Sequence, residues 1–110
     1  MPFRPAAFPL ATLLLLATIS SPVLAGLFHV NVTVQDAVDN DPGDGECRIS
    51  SGEFCTLRAA VMEANANPGP DLIILPGNAT ITLNISGTGN SAATGDLDIT
   101  ESVTIGTFVV

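Results

Sequence analysis

Lysine, tryptophan and tyrosine are absent from this chain of 110 residues, histidine occurs once, and the only arginines are Arg4, Arg48 and Arg58. Against these stand 11 carboxylates, so the formal net charge is −8. Binding to a phosphate backbone draws on clustered cations and stacking aromatics. Nucleic acid is therefore excluded as a partner. A lyase site built on a strong base and a cationic clamp is not assembled from two downstream arginines either. The charges are also unevenly placed: Arg4 is the only one before Asp36, and every acid lies between Asp36 and Glu101.

What fills that uncharged front is a secretory leader in three parts. Arg4 supplies the positive start, Ala6 to Ile19 the apolar stretch centred on Leu13–Leu16, and Ser20-Ser21-Pro22 the break. Val23-Leu24-Ala25 offers tolerated residues before the cut, so cleavage is expected between Ala25 and Gly26. An uncleaved anchor is the rival, but Pro9 and Ser20-Ser21-Pro22 leave less than the roughly 20 apolar residues a spanning helix uses. The expectation is an exported chain with no membrane span after cleavage, and a domain in residues 26–110.

Export decides how Cys47 and Cys55 are read. Seven residues separate them and no second ligand pair exists, so they match no zinc knuckle. In an oxidising compartment an even count points to a disulfide. Free buried thiols are the bland alternative, and a redox pair lacks the short spacing that activates a thiol.

Apolar residues recur in orderly runs, which argues against disorder. Phe28 to Gln35 alternates strictly, placing Phe28, Val30, Val32 and Val34 on one face of a half-buried strand. Asp36 to Gly45 is expected to be an exposed acidic loop. Thr56 can cap a helix, and Leu57, Ala60, Val61 and Ala64 then form one apolar stripe that ends at Asn65 to Gly69. Further short strands are expected at Asp71–Leu75, Ala79–Ile85, Asp96–Ile99 and Val103–Ile105, with a Gly-, Ser- and Thr-rich loop over Ser86–Gly95. A sandwich and a parallel β-helix both suit this pattern. The final segment is apolar to Val110, so the chain is expected to be the front end of something longer.

At Cys55-Thr56-Leu57-Arg58-Ala59-Ala60 the chain resembles the Cys-Ser-Leu-Arg-Glu-Ala motif of the CSLREA domain found in secreted bacterial proteins. The similarity runs on through Glu63-Ala64-Asn65-Ala66, Pro68-Gly69, Asp71-Leu72-Ile73, Leu75-Pro76-Gly77, Thr94 to Thr100 and Val103-Thr104-Ile105. Upstream, Val30 through Asp36 to Cys47 looks like the family's opening. The resemblance implies a mostly β fold: an N-terminal strand and short capping helix leading into the first rungs of a right-handed parallel β-helix of pectin-lyase-like shape. It also implies a place at the front of a large exported or surface-attached protein. It carries no catalytic residue across. Thr56 stands where the motif has Ser, keeping a hydroxyl; Ala59 stands where it has Glu, removing the carboxylate of a capping box and predicting a weaker helix start. On this reading Phe28–Asn65 caps the apolar end that an open first rung leaves exposed.

Candidate sites are few. Asp96 and Asp98 lie two apart, so on a strand both carboxylates point one way, as glycoside hydrolysis or calcium binding uses; a solvated face is the plainer reading. Asp36, Asp39, Asp41, Asp44 and Glu46 form the densest acidic cluster. Asp39 and Asp41 fit the first and third positions of an EF-hand loop, but Gly43 fails the fifth, which leaves a loose calcium site as the only cofactor candidate. His29 lacks a nucleophile beside it, and Arg58 is expected to pair with an acid of the loop. The sequons at Asn31, Asn78 and Asn84 are expected to be plain strand and turn residues. Two functions remain open. One is a non-catalytic capping module whose partners are the continuation of the same β-helix and, for the complete surface protein, polysaccharide or cell-surface components. The other is the front of a polysaccharide-degrading enzyme with its active site beyond residue 110.

Overall fold

The structure, a computed structural model, describes residues 24–107. Of the expected leader, residues 1–23 lie outside the described residues, as does the apolar ending at 108–110. Three strands form one parallel sheet in the order β1 (Gly26–His29), β2 (Asp71–Leu75), β3 (Val103–Thr107). A single helix among the described residues, α1 (Leu57–Ala66), lies between β1 and β2 in the chain. It packs against both strands.

Parallel neighbours cannot be joined by a tight hairpin, so long connections separate them. The register is continuous across the sheet: Gly26, Asp71 and Val103 align, then Leu27, Leu72 and Thr104, then Phe28, Ile73 and Ile105. Phe28 and Ile73 are buried and join Val30, Cys55, Ala60, Val61, Ala64 and Ala92 in the core. The inner face of the sheet thus meets the helix stripe, three of whose four expected members, Ala60, Val61 and Ala64, are fully covered.

Thr56 caps α1 as its residue type predicts. Its Oγ1 accepts from the Ala59 amide at 3.0 Å and donates to the Ala37 carbonyl at 2.6 Å. A hydroxyl does both at once, a role that threonine and serine fill equally. Ala59 is completely buried, so the helix start rests on the Thr56 hydroxyl without a carboxylate partner.

Three strand expectations are corrected. The run Phe28–Gln35 is not one long strand, since β1 ends at His29 and Val34 is 93% exposed. Its partner β2 gives out at Pro76, which has no amide to donate. Beyond Val30, whose amide still reaches the Ile74 carbonyl at 2.9 Å, the chain turns to the segment before the helix. Asn31 and Val32 donate to the Cys55 carbonyl there, and the Asn31 side chain accepts from the Cys55 amide at 2.7 Å. Neither Ala79–Ile85 nor Asp96–Ile99 is a strand. Side chains rather than a ladder satisfy their backbone: Asp36 accepts from the Asn84 and Ile85 amides, and Asn65 bonds the Asp98 carbonyl and the Thr100 amide.

Cys47 and Cys55 are joined, with Cα atoms 5.2 Å apart. The bridge ties the acidic loop to the residue before the helix cap. Closing so short a loop removes about 2.5 kcal/mol of unfolded-chain entropy on the loop-closure model. Substituting both cysteines with alanine is expected to lower stability by about that amount, read as a lower urea midpoint. An unchanged midpoint would show that the bridge constrains nothing the fold needs.

Candidate functional site

The acidic loop is exposed over Asn40–Gly45, as its composition predicts, but two of its carboxylates, Asp36 and Asp39, turn inward to meet the helix. Each does so against a different partner.

Arg58, fully buried on α1, makes a two-pronged pair with Asp36: Nε reaches Oδ1 at 2.7 Å and Nη2 reaches Oδ2 at 2.9 Å. Its remaining donors meet the Ala92 carbonyl at 2.9 Å and the Gly95 carbonyl at 2.7 Å. Asp36 Oδ2 also accepts from the Asn84 and Ile85 amides at 2.7 and 3.1 Å. Burial pushes the Asp36 carboxyl up, but the Arg58 hydrogen bonds, the two amides and the Arg58 charge together hold it below its ordinary value. One ion pair thus pins the helix, the loop and the long β2–β3 connection. The expected pairing of Arg58 with a loop acid is present in this form.

The second carboxylate is Asp39, which is buried beside Glu63 of α1. Asp39, Asp44 and Glu63 each bring a carboxylate oxygen within 4.8 Å of the others. Glu63 accepts from the Gly43 amide at 3.0 Å and the Gly45 amide at 2.9 Å. Those glycines sit at φ of 105° and 84°, left-handed backbone that lets both amides converge on one carboxylate. Burial pushes Glu63 up to about 7, with Asp39 adding to the rise against the lowering pull of the Gly45 and Gly43 amides.

These are the carboxylates that could hold a cation, and they differ from the set read along the chain. Asp36 is committed to Arg58, and Glu46 to Arg48 at 3.1 Å on the surface. Asp41 contributes its amide to Asp39 Oδ2. Glu63 was not in the sequence-derived cluster. It lies one helical turn on from Ala59 and Ala60, on the buried side, and that spacing is the signal that could have found it.

Asp96 and Asp98 are not paired on a strand, so the expectation that their carboxylates share a face is corrected. Asp96 lines an open cleft of about 320 Å³ with Asn84 and Ser86, whereas Asp98 Oδ2 is buried without a hydrogen-bond partner. His29 is exposed. Asn78 is an exposed residue at φ of 59°, and Asn31 is a structural hydrogen-bonding residue. None of the described helices is long and apolar enough to cross a membrane. What the arrangement does chemically is bind backbone: nearly every buried polar group holds a loop rather than facing a cleft. Comparison with protein-family models, curated proteins and solved structures finds no match to this chain.

Proposed function

We propose that residues 26–110 are a non-catalytic capping module at the N-terminus of an exported, surface-associated β-helix protein, released from its leader by cleavage after Ala25. The observation that carries this reading is the graded burial along one row of the sheet. Phe28, Ile73 and Ile105 align in parallel register, with Ile73 0% exposed and Ile105 still 40% exposed. A stack of parallel strands whose apolar row stays open at β3 is suited to receive another rung, since each rung covers the edge of the one before. The disulfide and the hub of Arg58 support the same reading, because they fasten the helix, the loop and the β2–β3 connection to one another.

The test has two arms. The exported chain, assayed on pectin-like and other acidic polysaccharides with and without calcium, is expected to give no turnover. Hydrogen exchange should find the unpaired β3 amides unprotected in this chain and at least tenfold slower in a version extended into the parent's next segment. Turnover by the short chain would overturn the non-catalytic assignment. Equal exchange in both versions would overturn the capping one.

A further inference from the structure

Asp71 is 1% exposed, yet its Oδ2 has no hydrogen-bond partner; Oδ1 accepts from the Asn67 side chain at 2.7 Å. An unpaired carboxylate oxygen in a buried position is costly unless something compensates it. No described cation is free to do so: Arg58 is taken by Asp36 and Arg48 by Glu46. The residue aligned with Asp71 on β1 is Gly26. A Cβ on Gly26 would lie 2.9 Å from Asp71 Oδ1, 2.8 Å from Asn67 Nδ2 and 2.7 Å from the Phe28 ring. Asp71 and Asn67 therefore close directly over the Gly26 backbone. A backbone nitrogen lies about 2.5 Å from its own Cβ position, so the Gly26 nitrogen is no more than about 5.4 Å from the Asp71 carboxylate.

We infer that Asp71 is a receptor for the α-ammonium group created when the leader is removed at Ala25–Gly26, so that processing supplies the missing partner of a buried carboxylate. This rests on the cleavage position in the proposed function. Hydrolysis adds one water across the Ala25–Gly26 peptide bond. The departing Ala25 carries a carboxylate, and the Gly26 amine takes a proton at neutral pH. One amide donor thereby becomes three donors bearing a positive charge, within about 5.4 Å of Oδ1 of a carboxylate whose other oxygen has no partner. Loss of Ala25 also removes its 2.6 Å amide bond to the Pro70 carbonyl, which frees the new terminus to turn toward Asp71. Glycine suits both steps, since it is small at the cut and leaves room for Asp71 and Asn67 afterwards. The other titratable group at this end of the sheet, Glu101 before β3, is exposed, and so is His29 at the far end of β1.

The experiment uses the exported, processed chain. Mass spectrometry identifies its first residue, and NMR of glycine-labelled protein follows titration of the Gly26 amine in wild type and in Asp71→Asn. Wild type is expected to begin at Gly26 and to titrate above the ordinary α-amine range of about 7.7–8.0. Asp71→Asn is expected to bring it down by about one pH unit or more. If Asp71→Asn does not fold, the wild-type amine is compared in the native and urea-unfolded chain, and a higher native midpoint is expected. A first residue other than Gly26 overturns the cleavage premise. A Gly26 amine with the same midpoint in both members of either comparison leaves the premise standing and overturns the ion pair.

Discussion

Replacing Arg58 with methionine is expected to lower stability by about 3–5 kcal/mol, the cost of leaving one member of a buried pair behind. Methionine keeps much of the aliphatic length, so the loss reports charge and hydrogen bonding rather than a cavity. Asp36, with a side chain 1% exposed, would be left to its two amide donors, and the Ala92 and Gly95 carbonyls would lose their partner. For a domain whose total stability is of the order of 5–15 kcal/mol, that is a large share. Adding Asp36→Asn should cost less than the sum of the single losses, because the two residues act as one unit. Arg48→Met is the control, since its pair with Glu46 is solvent-exposed and such pairs contribute about 0–1 kcal/mol. Urea midpoints at pH 6 would read all four. An Arg58→Met midpoint close to that of Arg48→Met would show that Asp36 reaches water when its partner is gone.

The parts of this fold that were legible in the sequence are those fixed by local chemistry. Thr56 followed by the Leu57–Ala64 stripe gave the helix start and its buried side, because a capping hydroxyl and a 3.6-residue period act within a dozen residues. The short apolar run between Pro70 and Pro76 gave β2 for the same reason. Alternation failed where a strand needs a partner that sequence alone does not supply. Phe28–Gln35 has a strand's pattern, but only Phe28 and His29 find a ladder partner, and Ala79–Ile85 finds Asp36 instead of a ladder. The site was harder still. Acids close together along the chain scattered to separate partners, whereas Glu63 came to Asp39 from across the loop. Asp71 stood only as the first residue of an expected strand, and it is among the most deeply buried of the described residues.

Glu63 should make this protein lose stability as the solution becomes neutral. A carboxyl raised from 4.5 to about 7 keeps its proton in the folded state over a range where the unfolded chain has already released it. The folded state then binds more protons, so stability falls as pH rises between about 4.5 and 7, by up to about 3 kcal/mol. Asp36 acts in the opposite sense. Its value is held low, so its stabilisation is complete above the unfolded value of 3.8 and is lost as pH drops through the folded one. Together they place the stability maximum well on the acid side of neutral, between about pH 4 and 5. Glu63→Gln isolates the first effect, because the amide can still accept from Gly43 and Gly45 and can donate to Asp39 as the protonated acid does. At pH 8 the variant is expected to exceed wild type by about 2–3 kcal/mol, and at pH 4.5 the two should nearly coincide. Urea unfolding at half-unit intervals across that range gives both curves. Parallel curves would mean that Glu63 ionises in the folded protein as readily as in water, and that the Gly43 and Gly45 amides fully offset its burial and its acidic neighbour.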